Sequence, residues 1–224
     1  MHSPVVLHFY DALGRHTGPI PNPDPASDLE LFEEQIPNSY YWQIGEGQYG
    51  GADDATTTTI VLQGLDLGAF TIETEELVGD VLATTTRYAD IPVTSSTTAT
   101  IVAGGGVTST LSMDVDGDGT TDVVLQGGEE GLTTEQLIAI LKGIIKTLDM
   151  PDKKEAKLMK EIQKLEKELA KEHKSAKVEK RKTKHAFNEL IRTINRYEKR
   201  KILTHEEAEE LLKIIGEIKG SVVE

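Results

Sequence analysis

The sequence predicts an α+β protein whose two kinds of structure follow one another along the chain: an antiparallel β-sandwich, then a bundle of three or four helices. The first observation is charge: residues 1–131 hold 21 acidic and two basic residues (−19), whereas residues 132–224 hold 17 acidic and 22 basic residues (+5). The second is pattern, because short β-like runs fill the first part and apolar residues at helical spacing fill the other. We therefore predict two domains, at residues 1–127 and 132–224.

The first part contains about seven runs with the composition of strands. Gly, Asp and Pro separate these runs, and none of them shows a helical period. Short strands at this spacing favour an antiparallel sandwich or a partly open barrel over a fold with parallel strands and crossover helices. The predicted strands are 4–10, 57–63, 69–74, 81–88, 97–102, 108–113 and 122–126.

Residues 18–50 depart from this pattern. Prolines at every second position from Pro19 to Pro25 indicate irregular chain, and residues 29–36 have the pattern of a short helix or a covering segment. An aromatic group follows within Gly-rich sequence. Flat rings can form a carbohydrate-stacking surface, but in a chain with 5% aromatic residues a place in the core is the favoured interpretation. The group is Tyr40, Tyr41, Trp42 and Tyr49.

Residues 114–122, with the sequence DVDGDGTTD, form the most specific local motif. Its pattern is that of a calcium loop: carboxylates at positions 1, 3 and 5, Gly at position 6, a backbone carbonyl at position 7 and Asp at position 9. The alternative is an acidic Asp-Gly hairpin turn. The predicted calcium ligands are Asp114, Asp116, Asp118, Thr120 and Asp122.

This loop differs from an EF-hand in two respects. Position 12, where an EF-hand has a bidentate Glu, is Leu125, and the flanking residues have strand rather than helix patterns. Glu129 and Glu130 are possible substitutes for the missing ligand. A site without that Glu should bind calcium weakly, which suits the millimolar calcium outside cells better than a cytosolic sensor.

The second part begins with a capping box at 133–136, which predicts a helix over 134–148. Pro151 is placed for the first turn of a second helix, whose apolar residues continue to Leu169. The sequence leaves open whether the chain then bends or continues as one long exposed helix. A second capping box, at 204–207, begins a final helix that Gly220 can close.

Residues 171–201 are strongly basic, with twelve Lys or Arg and four Glu. Such a run can bind an anionic polymer or can simply be a solvated helix face. The interleaved Glu residues and the lack of Gly-rich or aromatic nucleic-acid motifs favour the solvated face, and nucleic acid is not an expected partner. If a polymer binds, the expected contacts are Lys177, Lys180, Arg181, Lys182 and Lys184.

Several classes of protein are excluded or disfavoured. The absence of cysteine excludes disulfides and thiolate metal sites, and no run of about 18 apolar residues could span a membrane. Motifs for a serine hydrolase, a phosphate-binding loop and a zinc protease are all missing, and the histidines are scattered, so no enzyme is predicted. Because residues 5–10 already have a strand pattern and no secretory signal precedes them, we expect a piece of a longer protein or a chain that begins after a processed leader.

Three segments resemble β-rich regions near the C-termini of large secreted bacterial proteins, including hydrolases: PVVLHFYDALGRHTG, IPNSYYWQIGEGQYGG and VLQGLDLGAFTIE. The last of these, at residues 61–73, is also similar to bacterial pre-peptidase C-terminal domains. Residues 185–220 resemble the helical FIMAH-type domain that is appended to extracellular bacterial enzymes. These resemblances imply an accessory region without catalytic residues, and the resemblance of residues 185–220 to the FIMAH-type domain implies glycosaminoglycan binding.

The sequence thus predicts a non-catalytic, extracellular binding or anchoring module of a larger secreted protein, with structural calcium and a polysaccharide or other anionic polymer as a possible partner. The alternative is a structural subunit of a surface layer or filament. In that case the acidic domain of one copy would meet the basic helices of the next through self-association.

Overall fold

The computed structural model describes residues 3–24, 26, 29–53, 58–78, 81–103, 110–127, 131–171 and 176–223; for 78, 176–180 and 223 only the backbone is described. The chain divides into two compact units. Residues 1–131 form the β unit, and residues 132–224 form the helical unit. The predicted combination of antiparallel β structure followed by helices is confirmed.

The β unit is built around an antiparallel sheet of seven strands in the described residues. Its strand order is β11-β10-β9-β6-β1-β2-β3, so the two longest neighbours, β1 and β6, lie near the middle and pair over seven residues. The seven strands are β1 (Val5–Asp11), β2 (His16–Ile20), β3 (Leu31–Glu34), β6 (Thr58–Gly64), β9 (Thr98–Ala103), β10 (Thr110–Asp114) and β11 (Val123–Gln126).

Two hairpins complete the described β structure. The shorter is β4 (Tyr40–Ile44) with β5 (Gly47–Gly51), and the longer is β7 (Gly68–Val78) with β8 (Val81–Val93). The alternation of buried and outward residues along β1 and β6 places one apolar row of the large sheet in the core. That row includes Val5, Leu7, Phe9, Ile60 and Leu62.

The seven predicted strands coincide with β1 and β6 to β11, although Thr57, Thr108 and Ser109 lie outside the described residues. The prediction for residues 18–50 was wrong: the segment predicted as a short helix contains β3, and the aromatic segment forms the β4–β5 hairpin. Proline is tolerated in β2 because Pro19 pairs only with β3, while the β1–β2 pairing is confined to Thr17 and His16.

The helical unit contains four helices in the described residues. They are α1 (Thr134–Thr147), α2 (Asp152–Leu169), α3 (Ala176–Lys199) and α4 (His205–Val223). Each helix contacts the next in sequence, and α1 also contacts α4. Their shared core is aliphatic with two aromatic rings, and its fully buried members include Ile140, Leu141, Leu158, Ile162, Phe187, Leu190, Tyr197 and Leu211.

Both predicted capping boxes are confirmed. Thr133 and Gln136 exchange hydrogen bonds before α1, and Thr204 and Glu207 do the same before α4. The predicted end of the last helix was wrong, because α4 continues through Gly220 to Val223. Among the described residues, no helix is long and apolar enough to cross a membrane.

Candidate metal centre and exposed surfaces

The acidic motif forms the connection between β10 and β11, and its carboxylates are fixed by backbone amides. Asp114 accepts hydrogen bonds from the N–H groups of Gly117 and Gly119, both at 2.8 Å. Asp118 donates its N–H to Asp116 Oδ1 at 3.2 Å. Gly117 has a φ of 75°, in the left-handed region where glycine is favoured. The backbone of the loop therefore surrounds the Asp114 carboxylate through hydrogen bonds of its own.

The two ends of this loop are tied to one another. The N–H of Asp122 donates to the carbonyl of Met113 at 2.8 Å, and the N–H of Val115 donates to Asp122 Oδ2 at 2.8 Å. The last carboxylate of the motif is thereby brought back beside the first. This closure follows from the β10–β11 pairing, in which Met113 lies opposite Val123.

Three carboxylates of the loop converge. Asp114, Asp116 and Asp122 each place one oxygen atom within 4.8 Å of the others. Oxygen ligands lie about 2.3–2.6 Å from calcium, so two ligands of one ion can be up to about 5 Å apart. The spacing of the three oxygens therefore fits a shared hard cation, and negative charges this close repel one another without one.

The other two predicted ligands, Asp118 and the Thr120 carbonyl, are not among the three converging carboxylates. Asp118 is exposed and is not a member of the converging group, and its Oδ1 accepts the N–H of Thr120 at 2.8 Å. The roles of Asp118 and of the Thr120 carbonyl as calcium ligands stay predictions. Glu129 and Glu130, the possible substitutes for the missing position-12 ligand, lie outside the described residues.

The loop rests on the turn between β8 and β9, which the sequence did not reveal as part of the site. The carbonyl of the fully buried Val115 accepts hydrogen bonds from Thr97 Oγ1 at 3.0 Å and Thr94 Oγ1 at 3.4 Å. On the other side of the turn, the N–H of Gly64 in β6 donates to the carbonyl of Thr97 at 2.8 Å. A chain of hydrogen bonds thus joins the acidic loop to the central sheet, and a bound ion would be coupled to that sheet.

A second polar group was missed because its members are far apart in sequence. His8 Nδ1 and His16 Nε2 are 2.9 Å apart, and His16 Nδ1 lies 2.7 Å from Glu33 Oε1. The prediction that the histidines are scattered was therefore wrong for these two, which the β1–β2 pairing brings together. Burial and the neighbouring His16 lower the pKa of His8. Among the described residues the His8 ring bonds only to His16, so the arrangement lacks a bonded nucleophile.

The aromatic group is not a core cluster, which corrects that interpretation. Only Tyr41 is buried, at 4% exposure, whereas Tyr40, Trp42 and Tyr49 are 43%, 60% and 54% exposed. The alternation of a strand explains the difference: Tyr41 lies on one face of the hairpin and the other three lie on the opposite face. Desolvation of the buried phenol and the nearby Glu30 raise the pKa of Tyr41 to about 12.

The predicted polymer-binding residues lie on α3. The side chains of Lys177 and Lys180 are outside the described part of the chain, and Arg181, Lys182 and Lys184 are exposed. Thr183, between the two lysines, is buried at 7% exposure. Because consecutive helical residues turn by about 100°, Lys182 and Lys184 flank the buried side of α3 in opposite directions. They do not share one face.

A second basic surface lies on α2, where the sequence did not indicate one. Lys153, Lys157, Lys160 and Lys164 follow one another at steps of four, three and four residues, so they share one helix face. Together with Ala156 and Glu161 they line a surface depression of about 430 Å³. We refer to these four lysines as the lysine stripe.

Neutralisation of the lysine stripe within the described residues is slight. Lys157 lies 3.9 Å from Glu161, and no other ion pair to the stripe lies within 4.0 Å in the described part of the chain. Elsewhere in this unit, Lys142 pairs with Glu166 at 2.7 Å. Like charges at such spacings destabilise a helix by about 0.2–0.5 kcal/mol per pair, so the four lysines of the stripe repel one another.

Comparisons with known proteins found no family model, no curated protein and no solved structure that matches this chain. The resemblances to pre-peptidase C-terminal and FIMAH-type domains therefore stay predictions. The site and its surfaces have to be interpreted from their own chemistry.

Proposed function

We propose that the chain is a non-catalytic, extracellular binding or anchoring module of a larger secreted protein, and that calcium stabilises its β unit. The observation that carries this proposal is the convergence of three aspartates in a loop already closed by its own backbone. A module of this kind resembles the accessory C-terminal regions of secreted bacterial proteins. It needs a rigid scaffold rather than reacting groups.

The choice of calcium rests on the donor set. All three converging side chains are carboxylates, and hard oxygen donors prefer calcium or magnesium to zinc or copper. Magnesium demands a tighter octahedral arrangement and gives up its water reluctantly, whereas calcium accepts six to eight ligands from a flexible loop. Few protein ligands imply weak binding, which fits an extracellular location where calcium is abundant.

The finer architecture belongs to the same proposal. The β4–β5 hairpin packs against the large sheet, with Gly50 beside Phe9 of β1 and the Tyr41 ring 5.1 Å from that of Phe32 in β3, which supports a second layer and hence a sandwich. The closed ring of contacts from α1 through α4 supports a four-helix bundle. Two layered scaffolds of opposite charge would suit a module that joins a larger protein to an external surface.

Thermal unfolding of the full chain in excess calcium and in excess chelator tests the metal site. Calcium at about 100 times its Kd should stabilise the folded β unit by about 2.7 kcal/mol, and magnesium should stabilise it less. The variant Asp114→Asn should lose most of this gain. Asp66→Asn, at an exposed carboxylate outside the loop, serves as the matched control. If the unfolding temperature of the wild type is the same in calcium and chelator, the loop is only a turn.

A structural subunit of a surface layer or filament is the second candidate, and the lysine stripe favours it. Within the described residues the stripe has one ion pair, Lys157 with Glu161 at 3.9 Å, and the β unit of a second copy offers a formal charge of −19. Such a contact joins different surfaces of the two copies, so it generates chains rather than closed dimers.

Light scattering after size-exclusion chromatography separates this candidate from a monomeric module. Assemblies at low ionic strength should dissociate in salt and should be absent from a Lys160→Gln, Lys164→Gln variant. The control Lys182→Gln, Lys184→Gln removes the same charge from α3. Assembly that both variants lose equally would show that net charge, not the lysine stripe, drives it.

The predicted polymer contacts on α3 are tested separately. Replacing Lys180, Arg181, Lys182 and Lys184 with Gln should weaken retention on a heparin column, and wild-type retention should fall steeply as salt rises. Unchanged retention in this variant would assign the basic run of α3 to a solvated face.

A further inference from the structure

The outer face of the β4–β5 hairpin is aromatic, exposed and shaped by glycine. Tyr40, Trp42 and Tyr49 lie on it, with Gly47 and Gly51 between and beside them. A Cβ atom on Gly51 would lie 2.8 Å from the Tyr40 ring, and one on Gly47 would lie 2.9 Å from the Tyr49 ring. Both tyrosine rings therefore lie over bare backbone and expose a flat surface. We call these three rings the aromatic face.

The rings are held in fixed relation to one another. The centroids of Tyr40 and Trp42 are 5.0 Å apart with the planes at 40°, and Trp42 lies directly across the hairpin from Tyr49. Directly opposite residues of an antiparallel pair have Cβ atoms about 4.5–5.5 Å apart. The rings of Tyr40 and Trp42 thus contact one another along β4, and Tyr49 lies opposite Trp42 on the same face.

Hydrogen bonds on the opposite face attach the hairpin to β1. Gln48 donates its amide to the carbonyl of Val5 at 2.7 Å and accepts the N–H of Leu7 at 2.8 Å, so it binds the hairpin to β1. The hydroxyl of Tyr41 donates to the same Gln48 oxygen at 2.9 Å. A bound ligand would meet rings whose conformational entropy is already reduced, which favours affinity.

We propose that the aromatic face is a binding site for an uncharged polysaccharide, with sugar rings stacked on Tyr40, Trp42 and Tyr49. Sugar rings have apolar C–H faces that match flat aromatic faces, while their hydroxyl groups require hydrogen-bond partners at the edge. Asn38 and Asp53, bonded to one another at 3.2 Å beside the open end of the hairpin, provide such partners. This site rests on the proposed function, because it names what the binding module would hold.

The negative charge of the β unit disfavours two other occupants of the aromatic face, an anionic polymer and a second copy of the same face. The β unit has a formal charge of −19, so it repels anionic polymers. Two copies meeting through their aromatic faces would bring two such units together, which electrostatic repulsion disfavours. An uncharged polymer suffers neither penalty, and its sugar rings match the three exposed aromatic rings.

Trp42 is the only tryptophan of the chain, so its fluorescence reports on the aromatic face directly. Hydroxyethylcellulose, an uncharged probe, should shift the emission of the full chain to shorter wavelength and retard it in affinity electrophoresis. Tyr49→Ala should weaken retardation by about tenfold or more, as truncation of an aromatic anchor typically does. Trp42→Phe should retain most of the binding, and Leu65→Ala, at an exposed apolar residue of the same unit, should retain all of it.

The variant Gly47→Ala sharpens the test, because it leaves all three rings in place but displaces that of Tyr49. Weaker binding by this variant, with unchanged thermal unfolding, is expected. Three results would overturn the proposal: no response to hydroxyethylcellulose or to soluble starch, a response only to dextran sulfate, or a Trp42 emission that changes with protein concentration alone. Calcium-dependent unfolding of the same samples distinguishes failure of this site from failure of the proposed function.

Discussion

The two units of the chain neutralise charge in different ways. In the helical unit several lysines form ion pairs with carboxylates, as in Lys142 with Glu166 at 2.7 Å and Lys213 with Glu210 at 3.7 Å. In the β unit the converging carboxylates of the acidic loop accept hydrogen bonds from backbone N–H groups. The difference teaches that the helical unit places carboxylates beside its lysines, whereas the acidic loop of the β unit brings together three carboxylates that could hold a metal ion.

The largest effect should come from the contact between the central sheet and the turn that supports the acidic loop. A Cβ atom at Gly64 would collide with the carbonyl oxygen of Thr94. Gly64→Ala should therefore destabilise the β unit by about 3 kcal/mol or more, since the clash is with backbone. The same variant should weaken calcium binding, because the displaced turn donates hydrogen bonds from Thr94 and Thr97 to the Val115 carbonyl of the acidic loop.

Calorimetric unfolding, together with Trp42 fluorescence, measures the loss of stability of the β unit in Gly64→Ala. Gly117→Ala is the comparison within the loop, because a Cβ there would lie 2.9 Å from the carbonyl oxygen of Ser96. If Gly64→Ala lowers stability but leaves calcium affinity unchanged, the loop and the sheet are not coupled through the turn.

A smaller effect should follow from the hydroxyl of Thr97. This group donates to the buried Val115 carbonyl and accepts the N–H of Thr94 at 2.9 Å. Thr97→Val keeps the shape but leaves these groups with fewer partners, which should cost about 1–3 kcal/mol in chemical denaturation. Thr98→Val, at the exposed neighbouring position, should be nearly neutral, and equal losses in the two variants would contradict the assigned role.

A glycine of the helical unit should respond in the opposite direction. Gly216 is exposed in α4, and a Cβ there would meet nothing within 4 Å. Gly216→Ala should therefore stabilise the helical unit by about 0.5–1 kcal/mol through lower backbone entropy in the unfolded chain. Circular dichroism at the helical minimum measures this gain. Destabilisation would mean that α4 is covered at this position by a contact not present in the unit itself.

The sequence predicted what depends on local pattern. The first helix and both capping boxes follow from residues three or four positions apart, and the seven confirmed strands follow from alternation and turn residues. The acidic loop was found for the same reason, because its spacing is contiguous. The turn at Thr94 and Thr97 was not, because its contact with Val115 spans about twenty residues and uses side chains common in any strand.

The error on the aromatic group arose because composition was judged without knowing the direction of the side chains. The aromatic hairpin has the same residues whichever face is buried, and only the packing of Tyr41 and Gly50 against the large sheet decides which rings face solvent. The run at 177–184 is the densest in lysine and arginine; of its described members, Arg181 and Lys184 are three positions apart and share one side of α3, whereas Lys182 lies on another. The less dense lysines of α2 share one face because their spacing follows the helical period.

The smallest predicted effect is a pair of opposite pH responses. The pKa of His8 is lowered by burial and by the nearby His16, with Tyr10 and Glu33 completing its polar and aromatic surroundings. A histidine with a lowered pKa stabilises the fold above its ordinary value of 6.5, and that contribution is lost as pH falls through the lower folded value. The β unit should therefore lose stability on mild acidification, which Trp42 fluorescence reports.

His205, at the start of α4, has the opposite shift. A hydrogen bond to Glu198 Oε1 at 2.8 Å, with Glu209 also nearby, raises its pKa. Its contribution is therefore present below the ordinary value of 6.5 and is lost as pH rises through the higher folded value. Glu198→Gln should return the His205 titration, followed by NMR of the imidazole protons, towards its ordinary value while the His8 titration stays unchanged. Because the two histidines lie in different units, a simultaneous change in both titrations would contradict the assignment of each shift to its local partners.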